Sequence, residues 1–214
     1  MRYLVFGDVH GNLLALEEML AEERGEYDQL ISHGDVVNYG PWSNECVELL
    51  NDLDCICLKG NHEEYFIKGI YPGQNEIAKT FFSFCYPFFK KNYIIDHYKN
   101  FYDIADCRIT HTINNSYIFP DTDISAYTID RNYIIGHSHY QFQKQYNGFS
   151  LYNTGSVGQN RKFINAIDYI LVDEHQHQIE LKSLIYDVDK VINKMVSMQY
   201  PQVCISYYQL KKRK

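Results

Sequence analysis

Five short polar fragments, each placed directly after an apolar run, stand out in this sequence. They are Asp8-Val9-His10, Gly34-Asp35, Gly60-Asn61-His62-Glu63, His111 and Gly136-His137-Ser138-His139. Leaving His62 and Glu63 aside, they supply two carboxylates, one amide oxygen and four imidazoles. Such a set, with one ligand shared, suffices for two adjacent divalent ions when water or substrate fills the remaining positions. The order and placement of the fragments therefore predict that distant parts of the chain fold together around a metal centre.

The first three fragments follow strands of one predicted sheet. The apolar runs Arg2–Phe6, Gln29–Ser32 and Cys55–Leu58 predict strands, and the amphipathic segments 12–23 and 43–51 predict the helices between them. This alternation predicts parallel pairing with right-handed crossovers. Because functional loops of open α/β sheets lie at the carboxyl ends of the strands, we expect these three fragments to meet at one sheet edge.

The pattern changes after the third fragment. Residues 62–70 predict a short helix, and residues 74–102 form an aromatic-rich segment with a mostly helical pattern. Beyond about Ile104, short alternating runs predict the strands of a second sheet, at 108–110, 133–135, 149–152, 166–172 and 179–185. A last amphipathic helix is predicted over 187–198, and Pro201 follows it.

We expect a single domain over residues 1–200. It would contain an aromatic-rich helical insert at about 70–103 and be followed by a C-terminal tail, 201–214, that ends in solvated basic residues. The hydrophobic fraction of 45 % is ample for a core. The aromatics of the insert have two interpretations: they form helix core or a subunit interface, or they stack a nucleobase or cap a cleft.

Composition limits the class of function. The formal net charge of −7 argues against passive binding to a nucleic-acid backbone, although bound divalent ions would still attract a phosphate-containing substrate. No stretch of about 18 apolar residues predicts a membrane span, and the first residues lack the pattern of a signal peptide. Six scattered Cys without a CxxC pair favour free thiols. We therefore expect a cytoplasmic protein, monomeric or homo-oligomeric, with neither a membrane nor a stable nucleic-acid partner.

Alternation along a strand explains why two fragments carry ligands two residues apart. Side chains i and i+2 of a strand point the same way, so Asp8 and His10 could meet one ion, and His137 and His139 repeat this spacing. Asp35 has two carboxylate oxygens and could bridge two cations. Taken singly, each of these residues has an ordinary interpretation as a polar loop residue. It is the combination that favours metal binding.

In this order the fragments resemble the pattern of the calcineurin-like metallophosphoesterase superfamily, namely DxH, GDxV, GNH[DE], a lone His and GHxH. The chain has GDVHG, GDVVNYG, GNHEE, ITHT and GHSH. The segments GDVHGN, NYGP and NTGSVGQNR resemble more specifically its bacterial and archaeal branch of small phosphodiesterases. The resemblance covers roughly residues 1–185. It implies an α/β fold, a four-layer αββα sandwich with two mixed β-sheets, and a two-metal site at the sheet edges.

Carried over residue by residue, the resemblance implies two ion sites and one catalytic histidine. One ion would be held by Asp8, His10, Asp35 and His139, and the other by Asp35, Asn61, His111 and His137. Asp35 would bridge the two ions. His62 would lie beside them and assist the departure of the leaving group. Mixed oxygen and nitrogen ligands favour transition metals, of which Mn is expected first and Fe, Zn, Co and Ni are alternatives.

The segment after Asp35 departs from the GDxVDRG pattern of protein serine/threonine phosphatases and symmetrical diadenosine tetraphosphatases. Asn38 and Tyr39 stand where those enzymes have Asp and Arg. Asn38 can accept a hydrogen bond but brings no charge to stabilise an imidazolium, and Tyr39 cannot form a bidentate phosphate clamp. We therefore predict Asn38, Tyr39 and Arg161 as substrate contacts, with Arg161 as the replacement phosphate contact. The GNHE motif, with its Glu63, therefore does not indicate a protein phosphatase.

Other histidines have competing interpretations. His175 and His177 form a further HxH motif, but the polar context of residues 173–177 favours a solvated hairpin tip. His33, next to Gly34, could line the metal centre from behind or could be an ordinary polar residue. His97 lies in the aromatic insert and is interpreted as structural.

The sequence thus predicts a metal-dependent phosphoric ester hydrolase. The expected substrate is a small nucleotide-like phosphodiester attacked by a metal-bridging hydroxide, because the DRG phosphate grip is absent and the phosphodiesterase motifs are present. A phosphomonoesterase or protein phosphatase is one alternative, and an asymmetrical dinucleoside polyphosphate hydrolase is another. The alternative from a different class is a non-catalytic binding scaffold of the same fold. The complete set of predicted ligands argues against that scaffold.

Overall fold

The computed structural model describes residues 1–214 and contains ten β-strands and seven α-helices. The strands are β1 (Arg2–Phe6), β2 (Gln29–Ser32), β3 (Ile56–Cys57), β4 (Phe101–Ile104), β5 (Cys107–Thr110), β6 (Asn132–Ile135), β7 (Gln141–Tyr146), β8 (Phe149–Thr154), β9 (Ala166–Asp173) and β10 (Gln178–Ile185). The helices are α1 (Leu13–Glu22), α2 (Ser43–Asp52), α3 (Asn61–Lys68), α4 (Glu76–Cys85), α5 (Asn92–Ile95), α6 (Val188–Ser197) and α7 (Gln202–Gln209). None of these helices combines the length and the apolar character needed to cross a lipid bilayer.

The strands form two mixed sheets of five strands each. The first has the order β10-β9-β1-β2-β3, in which β1, β2 and β3 are parallel while β9 and β10 are antiparallel to their neighbours. The second has the order β4-β5-β6-β8-β7, with a parallel centre and two antiparallel edge strands. The predicted fold class and the predicted parallel pairing of the first three strands are confirmed. The prediction that 166–172 and 179–185 belong to the second sheet is wrong, because β9 pairs with β1, and β10 with β9, in the first sheet.

Alternation along the strands of the first sheet separates two apolar layers. Ten buried residues, among them Val5, Ile31 and Ile134, fill the space between the two sheets. Residues of opposite parity in the first sheet, such as Leu4 and Phe6, belong to a cluster of 33 buried residues that packs the helices on its outer face. The helices therefore hold the first sheet from one side, and the second sheet holds it from the other.

The outer face of the second sheet is covered by the segment 112–131. Four buried isoleucines of this segment pack on the sheet, at positions Ile113, Ile118, Ile124 and Ile129. The segment contains a single 3-10 turn, Ile124–Ala126. The Asn, Asp, Ser and Pro residues between the isoleucines favour turns over a longer helix. This layer is therefore mostly loop, and one end of it borders the predicted metal centre.

The sequence prediction misses two strands, β4 and β7, which are the two edges of the second sheet. β4 ends the segment predicted as a helical insert, and β7 buries only Phe142 among its six residues. An edge strand pairs on one side only and often carries charged or polar residues, so its apolar pattern is weak. The predicted insert contains α4 and α5 before the chain enters β4.

Most of the segment predicted as a C-terminal tail, 201–214, is instead a packed helix. Pro201 is the N-cap of α7, and that helix joins the helical layer through three buried residues, Cys204, Ile205 and Tyr208. The basic end is held as well, because the Ile164 N–H donates to the Lys212 carbonyl at 2.9 Å. A proline can begin a helix as readily as it ends one, which is why Pro201 alone did not reveal α7.

Deletion of residues 201–214 is expected to unfold the protein or to lower its free energy of unfolding by about 5 kcal/mol, because burial of one large apolar side chain contributes roughly 1.5–3 kcal/mol. Urea denaturation followed by circular dichroism measures the loss. Leu210→Ala is the control, since that side chain is 85 % exposed and its removal should leave the urea midpoint unchanged. An unchanged midpoint for the deletion would show that α7 does not stabilise the core.

Candidate metal centre

All seven predicted ligands converge where the loops after β1, β2, β3, β5 and β6 meet. Six of them, together with His62, form three groups of ligand atoms, and the atoms of each group lie within 4.8 Å of one another. The groups are Asp8, His10 and His139; His10, Asp35 and His62; and Asp35, His111 and His137. Asn61 joins the last group through Oδ1, which lies 3.1 Å from His111 Nε2. Below, Asp8, His10 and His139 are called the first cluster, and Asn61, His111 and His137 the second.

The two imidazoles of the first cluster point lone pairs at each other. His10 Nδ1 lies 3.2 Å from the Val37 carbonyl oxygen, and His139 Nδ1 lies 2.8 Å from that of Gln159. A carbonyl only accepts, so each neutral ring carries its proton on Nδ1 and presents a lone pair on Nε2. Yet the two Nε2 atoms are 3.2 Å apart, and the buried Asp8 Oδ1 has no hydrogen-bond partner. Facing lone pairs beside a lone carboxylate oxygen fit a cation between them.

The second cluster shares a carboxylate oxygen with the first. His111 Nε2 lies 3.2 Å from His137 Nδ1 and 3.3 Å from Asp35 Oδ2. The same Asp35 oxygen lies 3.9 Å from His10 Nε2 in the first cluster. A single carboxylate oxygen therefore lies between the two clusters. Carboxylate oxygens can bind more than one cation, so this position suits a bridging ligand.

Backbone N–H groups fix the orientation of both carboxylates. Asp8 Oδ2 accepts from the His137 N–H at 2.9 Å, and Asp35 Oδ1 accepts from the His62 N–H at 2.8 Å. The other oxygen of each carboxylate faces the clusters. Burial by itself would raise the pKa of each carboxyl group, but the neighbouring imidazoles hold the pKa of both below the usual range. Each residue is thus an ionised carboxylate with one oxygen held by the backbone and one directed at the clusters.

The strand geometry predicted for the Asp–His and His–His pairs is wrong. β1 and β6 end before the pairs begin. Five of the predicted ligands instead have φ between 48° and 68°, namely Asp8, His10, Asp35, His137 and His139. A non-glycine residue in this left-handed region costs roughly 1–2 kcal/mol, and such strain is typical of functional sites. Tight turns, and not the pleat of a strand, direct these side chains inward.

His33 lies behind the ligand loops. Its ring fills the space between Gly7 and Gly136, where an added Cβ would come within 2.2 Å and 1.9 Å of the imidazole. Its Nε2 lies 2.7 Å from Thr154 Oγ1, and its ring centroid is 5.8 Å from that of His111. Burial lowers the pKa of His33 to about 4, so the ring is neutral near pH 7. It therefore supports from behind the loops that follow β1 and β6.

Glu63 has a role at the site that the sequence analysis did not assign. Its buried carboxylate accepts four backbone N–H groups, from Asp35 and Gly60 on Oε2 and from Val36 and Val37 on Oε1, at 2.7 to 3.2 Å. Burial and the nearby Asp35 raise the pKa of Glu63 to about 7, whereas the four donors favour the carboxylate form. Glu63 thus ties the start of α3 to the loop that carries Asp35. A Glu three residues after Gly60 has the spacing of a capping box, which is the signal that could have revealed it.

Glu63→Gln is expected to destabilise the fold by about 3 kcal/mol or more. Each carboxylate oxygen accepts two N–H groups, so either orientation of a glutamine amide would turn its NH₂ toward two backbone donors. Denaturant unfolding of the two proteins measures the difference. Glu64→Gln, at the exposed neighbouring position, is the matched control. Equal unfolding midpoints for Glu63→Gln and the wild type would mean that these bonds do not hold the loop.

Comparison with known proteins agrees with this geometry. The family model described as calcineurin-like phosphoesterase matches residues 1–176. The chain belongs to this family. It is therefore a metal-dependent phosphoester hydrolase, and the two clusters are its candidate metal ligands.

Relatives match over nearly the whole phosphoesterase chain. An uncharacterized protein of Methanocaldococcus jannaschii is 28 % identical over 239 residues, which cover 92 % of this chain and 93 % of the relative. A metallophosphoesterase from Sphaerobacter thermophilus superposes with a TM-score of 0.77 at 22 % identity, over 98 % of this chain and 99 % of that one. A hypothetical protein from Pyrococcus horikoshii gives a TM-score of 0.81 at 14 % identity, over 97 % of each chain. The two superpositions confirm the fold.

In this phosphoesterase, Asn38 and Tyr39 lie beside His62 at the metal centre. The side-chain Nδ2 of Asn38 lies 3.0 Å from His62 Nδ1. The Tyr39 ring makes edge contacts with His10 and His62, at centroid distances of 4.8 Å and 5.5 Å. Burial lowers the pKa of His62, and Asn38 adds no charge that would raise it. Both neighbours therefore set the position of the His62 ring without ionising it.

Arg161 lies at the rim of the centre and not within it. Its guanidinium carbon is 5.6 Å from the ring centroid of Tyr117, and Tyr117 stacks on His137. The Arg161 side chain is exposed, while its backbone N–H donates to the His139 carbonyl at 3.4 Å. The structure thus brings Arg161 close to both clusters, but its side chain touches none of the predicted ligands.

The remaining HxH motif stands apart from the phosphoesterase site. His175 and His177 are exposed in the turn between β9 and β10. The His175 N–H donates to Asp173 Oδ1 at 3.0 Å, as in an Asx turn. The interpretation of this segment as a solvated hairpin tip is confirmed.

Several aromatics of the insert form helix core, whereas Phe88, Tyr93 and Phe101 are exposed. Phe81 and Phe82 of α4 are buried in the same cluster as the other helices. The Phe81 ring centroid lies 4.6 Å from that of Tyr39. Of the two interpretations of the insert, packing in the helical layer is the one the structure supports. Through Phe81 this packing also holds Tyr39 against the metal centre.

Proposed function

We propose that this phosphoesterase binds two divalent transition-metal ions bridged by Asp35 and hydrolyses a small nucleotide-like phosphodiester. The proposal is carried by the position of Asp35 Oδ2, 3.3 Å from His111 Nε2 and 3.9 Å from His10 Nε2. One oxygen within reach of both clusters supports one ion on each side of it. Bound there, two divalent ions would supply an activated water and neutralise charge on the phosphoryl oxygens.

The donor atoms support a transition metal, with Mn as the first candidate. The proposed ligands of one ion are Asp8, His10, Asp35 and His139, and those of the other are Asp35, Asn61, His111 and His137. Each set combines oxygen and imidazole nitrogen and contains no thiolate. Such mixed sets favour Mn, Fe, Zn, Co or Ni over Mg or Ca, and Mn is the one of these that accepts oxygen ligands most readily.

The proposed role of His62 is to assist the leaving group. It lies in one group with His10 and Asp35, so it borders both clusters. An amide NH₂ donates, so the Asn38 contact at 3.0 Å makes His62 Nδ1 an acceptor and leaves the ring proton on Nε2. That N–H can donate a hydrogen bond to the departing oxygen of the ester, whereas transfer of a proton to this oxygen requires the imidazolium form of the ring.

The preference for a diester is supported by the lack of a guanidinium at the centre. A monoester dianion carries more negative charge than a diester monoanion and gains more from a bidentate Arg clamp. Tyr39 occupies the position beside His10 and His62. A phosphomonoesterase is the second candidate, and the observation that favours it is the exposed guanidinium of Arg161 at the rim.

The test is to load the protein with Mn and assay bis-p-nitrophenyl phosphate beside p-nitrophenyl phosphate. The expected result is a higher kcat/KM for the diester and two bound ions per chain by elemental analysis. A large excess of monoester activity would reject the diester preference. One ion per chain in the active protein would reject the bridged pair, and no turnover of either ester would reject both candidate functions.

A further inference from the structure

A groove of about 580 Å³ opens beside the second cluster. Asn61, His111 and His137 line its end at the metal centre. The rest of its lining comes from both halves of the sandwich, from the loop and helix that follow β3 and from the segment 112–131 on the second sheet. Volumes of roughly 300–1,000 Å³ are typical of small-molecule sites. A substrate with its phosphate at the metal centre would have room for its remaining part here.

Two tyrosines bring aromatic surface into this groove. The Tyr117 ring stacks on His137 with centroids 3.8 Å apart and planes at 26°, yet 48 % of the residue is exposed. Tyr65, on α3, is half-buried and makes an edge contact with His62 at 5.5 Å. Each tyrosine therefore connects one histidine of the metal centre to the groove. Exposed aromatic faces beside a phosphate site are stacking surfaces for a planar ring.

The other groove residues are polar, and one of them, Lys59, is a cation without an acidic partner. Lys59 donates to a main-chain carbonyl at 3.2 Å, and Glu64 pairs with Lys68 at 3.0 Å. Asn100 and Asn115 are exposed, and their side-chain amides form no hydrogen bond within the chain. The groove thus presents aromatic faces, free amides and the ammonium group of Lys59, without an apolar wall for an acyl chain.

We propose that this groove binds the nucleobase of a nucleoside phosphate, stacked on Tyr117 and with Asn100 and Asn115 facing its polar edge. The inference rests on the proposed function, because the phosphate has to lie at the metal centre for the base to enter the groove. A nucleobase is planar and carries donors and acceptors on its edge, so it matches the aromatic faces and the free amides of the groove. The groove then selects nucleoside phosphates over esters without a base.

The test compares adenosine 5′-monophosphate with ribose 5-phosphate, two ligands that differ only in the base. Calorimetric titration of the Mn-loaded protein is expected to give at least about 10-fold tighter binding of the nucleotide, the size of effect that base–aromatic stacking produces. Tyr117→Ala should bring the affinity ratio close to one, while Tyr117→Phe should keep it. Tyr93→Ala is the control, because that ring is 64 % exposed and lies outside the groove.

Equal affinities of the wild type for the two ligands would overturn the proposal, as would a ratio that survives Tyr117→Ala. The experiment measures the ratio of the two affinities because Tyr117 also packs on His137. Damage to the metal centre would weaken the binding of both ligands equally and leave this ratio unchanged. Should Tyr117→Ala fail to fold, the double variant Asn100→Ala/Asn115→Ala replaces it. At these exposed positions we expect about 3- to 10-fold weaker nucleotide binding, from two lost hydrogen bonds, and unchanged ribose 5-phosphate binding. Unchanged nucleotide affinity in the double variant would also contradict nucleobase binding in the groove.

The experiments distinguish an incorrect nucleobase site from an incorrect assignment of hydrolysis. Turnover of bis-p-nitrophenyl phosphate without a preference for the nucleotide would reject the groove alone. A preference for the nucleotide without turnover of either p-nitrophenyl ester would reject the proposed hydrolysis and keep the groove as a nucleotide site.

Discussion

Asp35→Asn is expected to lower kcat/KM for bis-p-nitrophenyl phosphate by about 10²- to 10³-fold and to leave at most one ion bound per chain. Asp35 Oδ1 accepts a hydrogen bond from the His62 N–H at 2.8 Å, and Oδ2 faces His111 and His10. An asparagine that keeps its oxygen on the His62 N–H must turn its NH₂ toward the position proposed for the cations. Loss of one buried charge from such an arrangement costs about 3–5 kcal/mol, and each 1.4 kcal/mol corresponds to about a tenfold change.

Elemental analysis and steady-state kinetics on the same preparation measure the two effects together. Asp121→Asn, at an exposed position of the segment 112–131, is the matched control and should keep both metal content and activity. If Asp35→Asn retained two ions and full turnover, the oxygen between the clusters would have no role in binding them.

The composition of the centre could be predicted from the sequence, although the reason for its geometry could not. Each predicted ligand is a specific residue in a short motif, so Asp8, Asp35 and His137 can be identified directly from the sequence. Their inward direction depends on left-handed backbone at positions that are not glycine. Asp and His occur at positive φ more often than most other non-glycine residues, but this preference is too weak to predict the conformation. Tertiary contacts force it on the chain. The ring of His33 between Gly7 and Gly136 is one such contact, and it joins parts of the chain that are far apart in sequence.

Dependence on contacts between distant parts of the chain also explains which elements of the fold and which residues of the site the sequence did not predict. Strands β1 and β2 have apolar runs that the sequence displays directly, whereas β7 is an edge with one buried side chain. α7 follows a proline and is held by contacts with residues far away in sequence. Glu63 acts on four N–H groups of two separate loops. Tyr117 lies in a segment with no helical or strand period, so its contact with His137 could not be predicted from the sequence.

His62→Ala is expected to keep both ions and to lower turnover by about 10²–10⁴-fold on an ester with a poor leaving group. The ring borders both clusters but its Nδ1 is engaged by Asn38, so its removal deletes a proton donor and no proposed ligand. Methyl p-nitrophenyl phosphate and dimethyl phosphate differ mainly in leaving group. Since p-nitrophenolate departs without a proton, the loss should be much smaller for the p-nitrophenyl ester. A loss of equal size on both esters would contradict a role in protonation.

The proposed role of His62 also predicts the direction in which turnover changes with pH. Burial lowers the pKa of His62, so the protonated ring is abundant only in acid and is depleted as pH rises through that lowered value. Turnover of the ester with the poor leaving group should therefore fall with rising pH in the wild type, and His62→Ala should remove that dependence. His97→Ala, at an exposed histidine outside the centre, should keep the wild-type profile. Loss of metal from His62→Ala would instead identify His62 as a ligand, because a residue that serves only as a proton donor leaves the ions in place.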